Sequence, residues 1–405
     1  MSDIRFEGWL HKTGTGGVYQ DAAGNVGIAS TQPKTRLDIG NGGFQVGPTG
    51  IATVTTVNTT NLINTTALSN RNVIINGAAM VAQRGDTTSG VTGSGYATDR
   101  FQAVMNSSGT LTISQDSDAP SGFRKSHRLT QTTAQGSLGA NDLTTFRYNA
   151  EGYDVQRFKK GTSDAEQFTV SFWVRSVDQS SYPVTYILEL RDPINTRSCC
   201  QAYTVNASDT WEYKTVTFPA DTTGQWATDN SKSLEMNWFV CGGSGYTSGT
   251  LSTTWASTVT ANRAAGLTAN LSANTANRFF LTGVQLEVGP VATPFEHRSF
   301  GDELTRCMRY YEGVIMGTGT AIMRTYLNNA GGGSNVTNVE YNYKVEKRAS
   351  PTFSLEGNGT WHPTGDSGMS AFPSTSTCLF QRNDSTAQFL TDANGDLCCS
   401  FSAEL

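Results

Sequence analysis

Little in this sequence is charged. Asp, Glu, Lys and Arg make up 16% of its 405 residues, the net charge is −5, and the basic residues form no run. Nucleic acid as a main partner is excluded on that ground, because it requires a concentrated positive surface. No apolar run is long enough to span a bilayer, so membrane insertion is not expected. Residues 1–9 read Met-Ser-Asp-Ile-Arg-Phe-Glu-Gly-Trp and hold no apolar signal core, which points to synthesis in a cytoplasm. Histidine occurs only at His11, His127, His297 and His362. The seven cysteines include two adjacent pairs but no Cys-x-x-Cys spacing, so a zinc knuckle is not indicated and reduced, buried thiols are expected.

Glycine, in contrast, is abundant at 42 residues, beside much Ser, Thr and Asn, and aromatic residues reach 10% and are spread along the chain. That is the composition of β-sheet with many turns rather than of disorder. The length asks for two or three domains.

Period-two alternation marks the strands. In residues 168–175, Phe168, Val170, Phe172 and Val174 fall on one face, and Thr169, Ser171, Trp173 and Arg175 on the other. Further strands are expected at 183–190, 211–218 and 234–240. A last one covers 278–288, with Phe280, Thr282, Val284, Leu286 and Val288 together and Gly283, Gln285 and Glu287 opposite; Gly289-Pro290 ends it. Strands separated by turn clusters, with no helical period between them, predict a sandwich or jelly roll. Residues 242–273 form a Gly/Ser/Thr/Asn-rich excursion. A short helix is expected at 302–311, with Asp302 and Glu303 in its first turn and Leu304, Cys307 or Met308, and Tyr311 at helical spacing. Near the N-terminus, Gly24-Asn25 reads as a turn between two short strands.

Catalytic patterns are weak. Gly365-Asp366-Ser367-Gly368 shares four positions with the nucleophile motif of chymotrypsin-like proteases but is followed by Met369 where that motif has glycine; a turn is the better reading. Asp392, Asn394 and Asp396 alternate as in calcium loops, yet the distal glutamate is missing, and Asn394-Gly395 reads better as a hairpin turn. No phosphate loop is present and no carboxylate pair stands out, so no enzyme activity and no cofactor is expected.

Two groups of motifs resemble a family. Residues 284–289 (Val-Gln-Leu-Glu-Val-Gly), 292–298 (Ala-Thr-Pro-Phe-Glu-His-Arg) and 302–311 (Asp-Glu-Leu-Thr-Arg-Cys-Met-Arg-Tyr-Tyr) resemble the close of a carbohydrate-module-like jelly roll in bacteriophage tail fibres; residues 72–84 and 96–101 resemble its opening. Residues 19–39 resemble a segment of tail-fibre shafts and attachment regions, with Ala29 where that pattern has glycine, and residues 345–351 and 401–405 resemble the C-terminal portion of phage tail proteins. The resemblance implies an all-β fibrous homotrimer located in the virion and made in the host cytoplasm. Its parts would be a virion-attachment segment (1–40), a shaft or linker (41–70), an antiparallel jelly roll (71–300), and a short helix plus C-terminal β domain (301–405). Its partners would be a tail, baseplate or adaptor protein at the N-terminus and a bacterial surface polysaccharide. The alternatives are a purely architectural fibre or collar protein and a polysaccharide-cleaving tail spike. In a fibre mounted by its N-terminus, the distal residues Asn358, Trp361, His362 and Asp366 are the candidate saccharide site, with Tyr246 and Trp255 of the excursion beside them.

Overall fold

Alternating apolar residues need a second layer to cover them, and in this chain that layer is another sheet. The computed structural model describes residues 70–177, 181–315, 337–356, 360–362, 369–382, 389–391 and 397–405. Of the first 67 residues it describes 8–10, 17–20, 22–24, 26–28, 37–39, 44–46 and 52–54. The chain divides into two units, 1–67 and 68–405.

The N-terminal unit contains one sheet of six short strands in sequence order: β1 (Gly8–Leu10), β2 (Gly17–Gln20), β3 (Val26–Ile28), β4 (Leu37–Ile39), β5 (Phe44–Val46) and β6 (Ala52–Val54). Residues 22–24 lie between β2 and β3, while Asn25 of the expected Gly24-Asn25 turn lies outside the described residues; the pairing of these strands sets Val18 opposite Ile28. Both side chains are 38% exposed.

The larger unit opens with an antiparallel sandwich. Its strands are β7 (Thr87–Val91), β8 (Ser94–Tyr96), β9 (Phe101–Asn106), β10 (Thr110–Asp116), β11 (Ser126–Thr133), β12 (Leu143–Glu151), β13 (Phe168–Val177), β14 (Val184–Asp192), β15 (Arg197–Val205), β16 (Glu212–Phe218), β17 (Lys232–Gly242), β18 (Ala256–Ser257) and β19 (Arg278–Val288). One sheet has the order β16-β13-β19-β11-β10-β7 and the other β18-β15-β14-β17-β12-β9-β8. The predicted inward face of β13 is inside: Phe168, Val170, Phe172 and Val174 are fully buried. From the facing sheet, Leu234, Met236, Trp238 and Val240 of β17 meet them in one core with Phe146 and Tyr148 of β12. Each such side chain contributes roughly 1.5–3 kcal/mol by leaving water.

The alternation predicted for β19 is corrected at its first half. Ser171 pairs with Gln285 but Trp173 pairs with Thr282, so β19 carries one extra residue opposite Phe172. Gly283 takes φ +62° in this bulge. An extra residue reverses the phase of a strand. Val284 and Leu286 therefore point inward as expected, whereas Phe279 and Leu281 replace Phe280 and Thr282 in the core. Phe280 lies on the outer face, under the Arg175 guanidinium at 4.1 Å.

Beyond the bulge, the leading segment takes the free edge of β19. Val73 N–H donates to Leu286 O and Val284 N–H to Gly77 O, each at 3.0 Å. A Cβ on Gly77 would stand 2.2 Å from Val284 O, so only glycine permits this approach. The residues that resemble the opening and close of one module are thus hydrogen-bonded to each other.

The excursion after β17 does not project. It folds back on the outer face of the seven-stranded sheet, where Ala264, Leu251 and Leu267 pack on Ile187, Cys200 and Phe239.

The expected helix forms over Phe300–Met308, with the Ser299 hydroxyl accepting from the Asp302 N–H. Cys307, Leu304 and Tyr310 close over Ile75 and Val81. The chain continues as β20 (Tyr311–Ile315), β21 (Thr337–Asn342), β22 (Thr352–Leu355), β23 (Thr360–His362), β24 (Met369–Pro373), β25 (Thr377–Arg382), β26 (Phe389–Thr391) and β27 (Leu397–Ser402). These pair as β20-β27-β22, β21-β25-β24 and β23-β26, and Val314, Tyr343, Phe380 and Phe401 form the core of the first two sheets. The last residues return to the sandwich. Ala403 N–H donates to Tyr310 O at 2.7 Å, and Asn149 Nδ2 to Leu405 O at 2.9 Å. Burial alone would raise the pKa of the Glu404 carboxyl, but Arg100 and Arg84, both ion-paired to it, outweigh burial and hold it below the usual carboxylate range.

Cys199, Cys200, Cys241, Cys307 and Cys378 are buried free thiols, as expected, and Cys399 is buried too. His127 is a core histidine. Burial lowers its pKa to about 3, against a hydrogen bond to the Asn76 backbone that favours the protonated ring, and Thr98 Oγ1 lies 2.7 Å from its Nδ1.

Candidate functional site

The bulge at Gly283 organises the outer face of the six-stranded sheet. Because β19 has an extra residue there, the sheet bends and offers a position without a side chain. Two rings close over it: a Cβ on Gly283 would stand 2.7 Å from Phe123 Cζ and 3.2 Å from Trp173 Cδ1. Trp173 comes from β13 and Phe123 from the loop between β10 and β11. Trp173 leans on Tyr213 of β16, with ring centroids 5.4 Å apart. Phe123 meets Phe295 edge-on at 5.0 Å and His297 at 5.3 Å, and those two rings are 4.8 Å apart. The result is a group of five rings, the Tyr213–Trp173 pair and a triangle of Phe123, Phe295 and His297, meeting at Gly283.

Rings that had only to stabilise the core would be covered. Here Tyr213 is 45% exposed, His297 is exposed, and Trp173, Phe123 and Phe295 are half-buried. Phe123, Phe295 and His297 also line a cleft of about 200 Å³, together with Met80, Phe300, Arg124, Asn76, Arg298 and Glu303. An apolar concavity with a few fixed polar groups is the usual form of a small-ligand site. Beside Trp173 on the same face, Arg175 covers Phe280 and pairs with Asp118 at 2.8 Å and Asp209 at 3.2 Å, while Trp211 Nε1 donates to Asp118 Oδ1 at 3.1 Å.

The sequence candidates are dispersed. Tyr246 lies on the outer face of the other sheet, against Phe239 and beneath the excursion. Trp255 is in the sandwich core, its Nε1 donating to Pro219 O at 2.9 Å, and so presents no free face for stacking. The two do not share a surface. Trp361 and His362 form part of β23, paired with Leu390 and Phe389 of β26, but their side chains lie outside the described residues, as do Asn358 and Asp366. So do the turns expected at Gly365–Gly368 and at Asn394-Gly395. Trp173 was placed on its outward face by alternation alone. Phe295 and His297 stand in the stretch that closes the module, but nothing local to the sequence shows that they meet Phe123. That contact depends on the loop after β10, which pattern reading does not position.

Two other polar clusters are built for stability. Lys160 Nζ is fully buried in a cage of oxygens: Asp192 Oδ2 at 2.7 Å, Asp221 Oδ2 at 3.1 Å, Gly224 O at 2.6 Å and Thr223 O at 3.1 Å. Trp226 and Trp255 flank it at 5.6 and 5.2 Å. On the outer face of the seven-stranded sheet, Arg263 forks onto Glu189 at 2.7 and 2.6 Å, and Asn237 Nδ2 bridges Glu189 and Glu235 at 2.9 Å each. Burial opposes ionisation of Glu235, but Arg147, the Asn237 hydrogen bond, Lys232 and Arg191 together hold its pKa down to about 2. Both carboxylates are saturated by protein donors.

No protein-family model matches the sequence, and no curated protein matches it. Solved structures overlap parts of it. The enzymatically active domain of bacteriophage CBA120 tailspike protein 4 is 11% identical with a TM-score of 0.27, covering 54% of this chain and 21% of its own. The family 11 carbohydrate-binding module of Clostridium thermocellum in complex with a mixed-linked tetrasaccharide is 8% identical with a TM-score of 0.26, covering 52% and 99%. The tandem CBM22 domain of Paenibacillus barcinonensis Xyn10C is 10% identical with a TM-score of 0.24, covering 79% and 97%. With TM-scores this low, the overlaps assign neither a family nor a function to this chain.

Proposed function

We propose that this protein is a phage tail-fibre component that recognises a bacterial surface saccharide and does not cleave it. The group of rings from Tyr213 to His297 carries the reading. Flat rings accept the C–H faces of sugars, an exposed group of them offers more than one stacking position, and the adjoining cleft supplies polar groups for hydroxyls. The family motifs at 19–39, 72–84 and 284–298 supply the virion context. Assembly as a homotrimer mounted through the N-terminal segment fits the exposed Val18–Ile28 pair, an apolar surface that further copies would cover. Weak individual sites then give firm adsorption, because linked copies raise the effective concentration.

The test is a bacterial-polysaccharide array probed with the purified protein, with the same polysaccharides assayed for cleavage. Binding without cleavage, lost in Trp173→Ala and Phe295→Ala proteins that stay folded, is the expected result. Cleavage would identify a tail spike, and absence of all binding an architectural fibre or collar protein. Trp361→Ala separates the ring group from the C-terminal stretch: loss of binding in that variant alone would move the site to Trp361 and His362.

A further inference from the structure

We infer that the ligand of this site is an acidic saccharide, bearing a carboxylate or a phosphate ester at the end that enters the cleft. The inference rests on the saccharide reading and concerns which saccharides the site selects. The chain as a whole is acidic, at −5, yet the cleft is not. Two guanidiniums, Arg124 and Arg298, line it against one carboxylate, Glu303.

That carboxylate is occupied. Glu303 Oε1 accepts the Asn76 N–H and lies 3.5 Å from Arg298 Nη1. Glu296 nearby accepts the Asn72 N–H at 2.9 Å. Arg298 is itself paired, with Glu303 and with Glu296 at 3.8 Å, so the open cation is Arg124. The Arg298 side chain is 6% exposed; Nη1 donates to Ile74 O at 2.9 Å and Nη2 to Asn72 O, but its buried Nε has no acceptor. Arg124 is exposed and makes no hydrogen bond or ion pair among the described residues. A fixed guanidinium and an unpaired one in the same cleft, beside stacked rings, suit a sugar ring that carries an anion. Arginine is the side chain whose planar fork matches carboxylate and phosphate oxygens. The same cations in a cleft of low dielectric also raise the arrival rate of an anionic polymer.

The test compares matched neutral, uronic-acid and phosphate-substituted bacterial oligosaccharides for binding to the full-length protein, at low and high salt, with parent and Arg124→Gln. An acidic ligand should bind at least about tenfold more tightly than its neutral counterpart, as a hydrogen bond to a charged group implies. The advantage should shrink with salt and disappear in Arg124→Gln, which is exposed and leaves the fold intact. Whether the uronic-acid or the phosphate set shows it assigns the anion. Equal binding of neutral and acidic ligands would overturn the inference and leave saccharide recognition standing. Binding of none would overturn both.

Discussion

Phe123 Cζ stands 2.7 Å from the point a Cβ on Gly283 would occupy. The bulge residue is therefore glycine for two reasons, its φ of +62° and the ring above it. Gly283→Ala should cost about 1–3 kcal/mol through backbone strain, and should displace the Phe123 ring. Denaturant midpoints and saccharide affinity should fall together. Unchanged affinity would show that the bulge does not position the rings.

Lys160 is the second test. Its ammonium pairs with Asp192 and shares Asp221 with Arg197, so Lys160→Met leaves Asp192 buried without a cation. Removing one partner from a buried ion cluster costs about 3–5 kcal/mol. Adding Asp192→Asn should recover part of the loss. A single variant as stable as the parent in urea would show that the cage contributes nothing net.

Acid should unfold the protein through identifiable groups. His127 has a folded pKa of about 3 against about 6.5 when unfolded, and Glu235 about 2 against about 4.3. Both are depressed on folding, so the unfolded chain binds more protons and stability falls as pH falls. The His127 contribution is lost from about pH 6.5 down to 3, and that of Glu235 from about pH 4 down to 2. Each contributes up to about 1.4 kcal/mol per pH unit in its window. Glu235→Gln should be less stable at pH 7 yet show a shallower slope below pH 4 in urea titrations.

Core packing offers a simpler measure. Phe172 meets Tyr203 edge-on at 5.1 Å and Trp238 at 5.9 Å. Phe172→Ala should cost about 3–5 kcal/mol. A loss below 1 kcal/mol in the thermal midpoint analysis would mean that the two sheets do not share one rigid core.

For assembly, light scattering should report a trimer of the 43.4 kDa chain. Replacing Val18 and Ile28 together with Asp should dissociate it. A parent protein that is a stable monomer would remove the trimer from the proposal.

The sandwich was legible where burial enforces alternation. Phe168 through Val174 could be read from β13 alone, and Asp302 and Glu303 marked the first turn of the helix, although its Ser299 cap was not foreseen. The first half of β19 was misread because a bulge changes phase without a composition signal beyond one glycine among many. Strands β7 to β12 were not distinguished beforehand; their alternating residues include Thr144, Thr145, His127 and Gln131, buried polar groups that blur the pattern. The ring group was half legible. Trp173 followed from its strand, but Phe123 and Phe295 are brought together by loops whose course depends on tertiary contacts. Trp255 misled for the same reason: a turn-rich neighbourhood suggested exposure, while the excursion carrying it folds onto the sandwich.

The closing strap has a mechanical consequence. The chain leaves the sandwich at Tyr310 and comes back to it at Ala403, whose N–H bonds the Tyr310 carbonyl. The C-terminal sheets are thus attached like the handle of a cup, with two feet side by side and Arg348 between them, its Nη1 donating to Asn230 O of the sandwich at 3.0 Å. One foot is pinned by the Arg309–Glu151 fork, with contacts of 2.8 Å, and the other by Glu404 between Arg84 and Arg100. A load on the handle cannot peel it from one end, since both feet must let go together. Drag on the C-terminal sheets is passed to the sandwich as torque on a single body rather than spent in unwinding a tether.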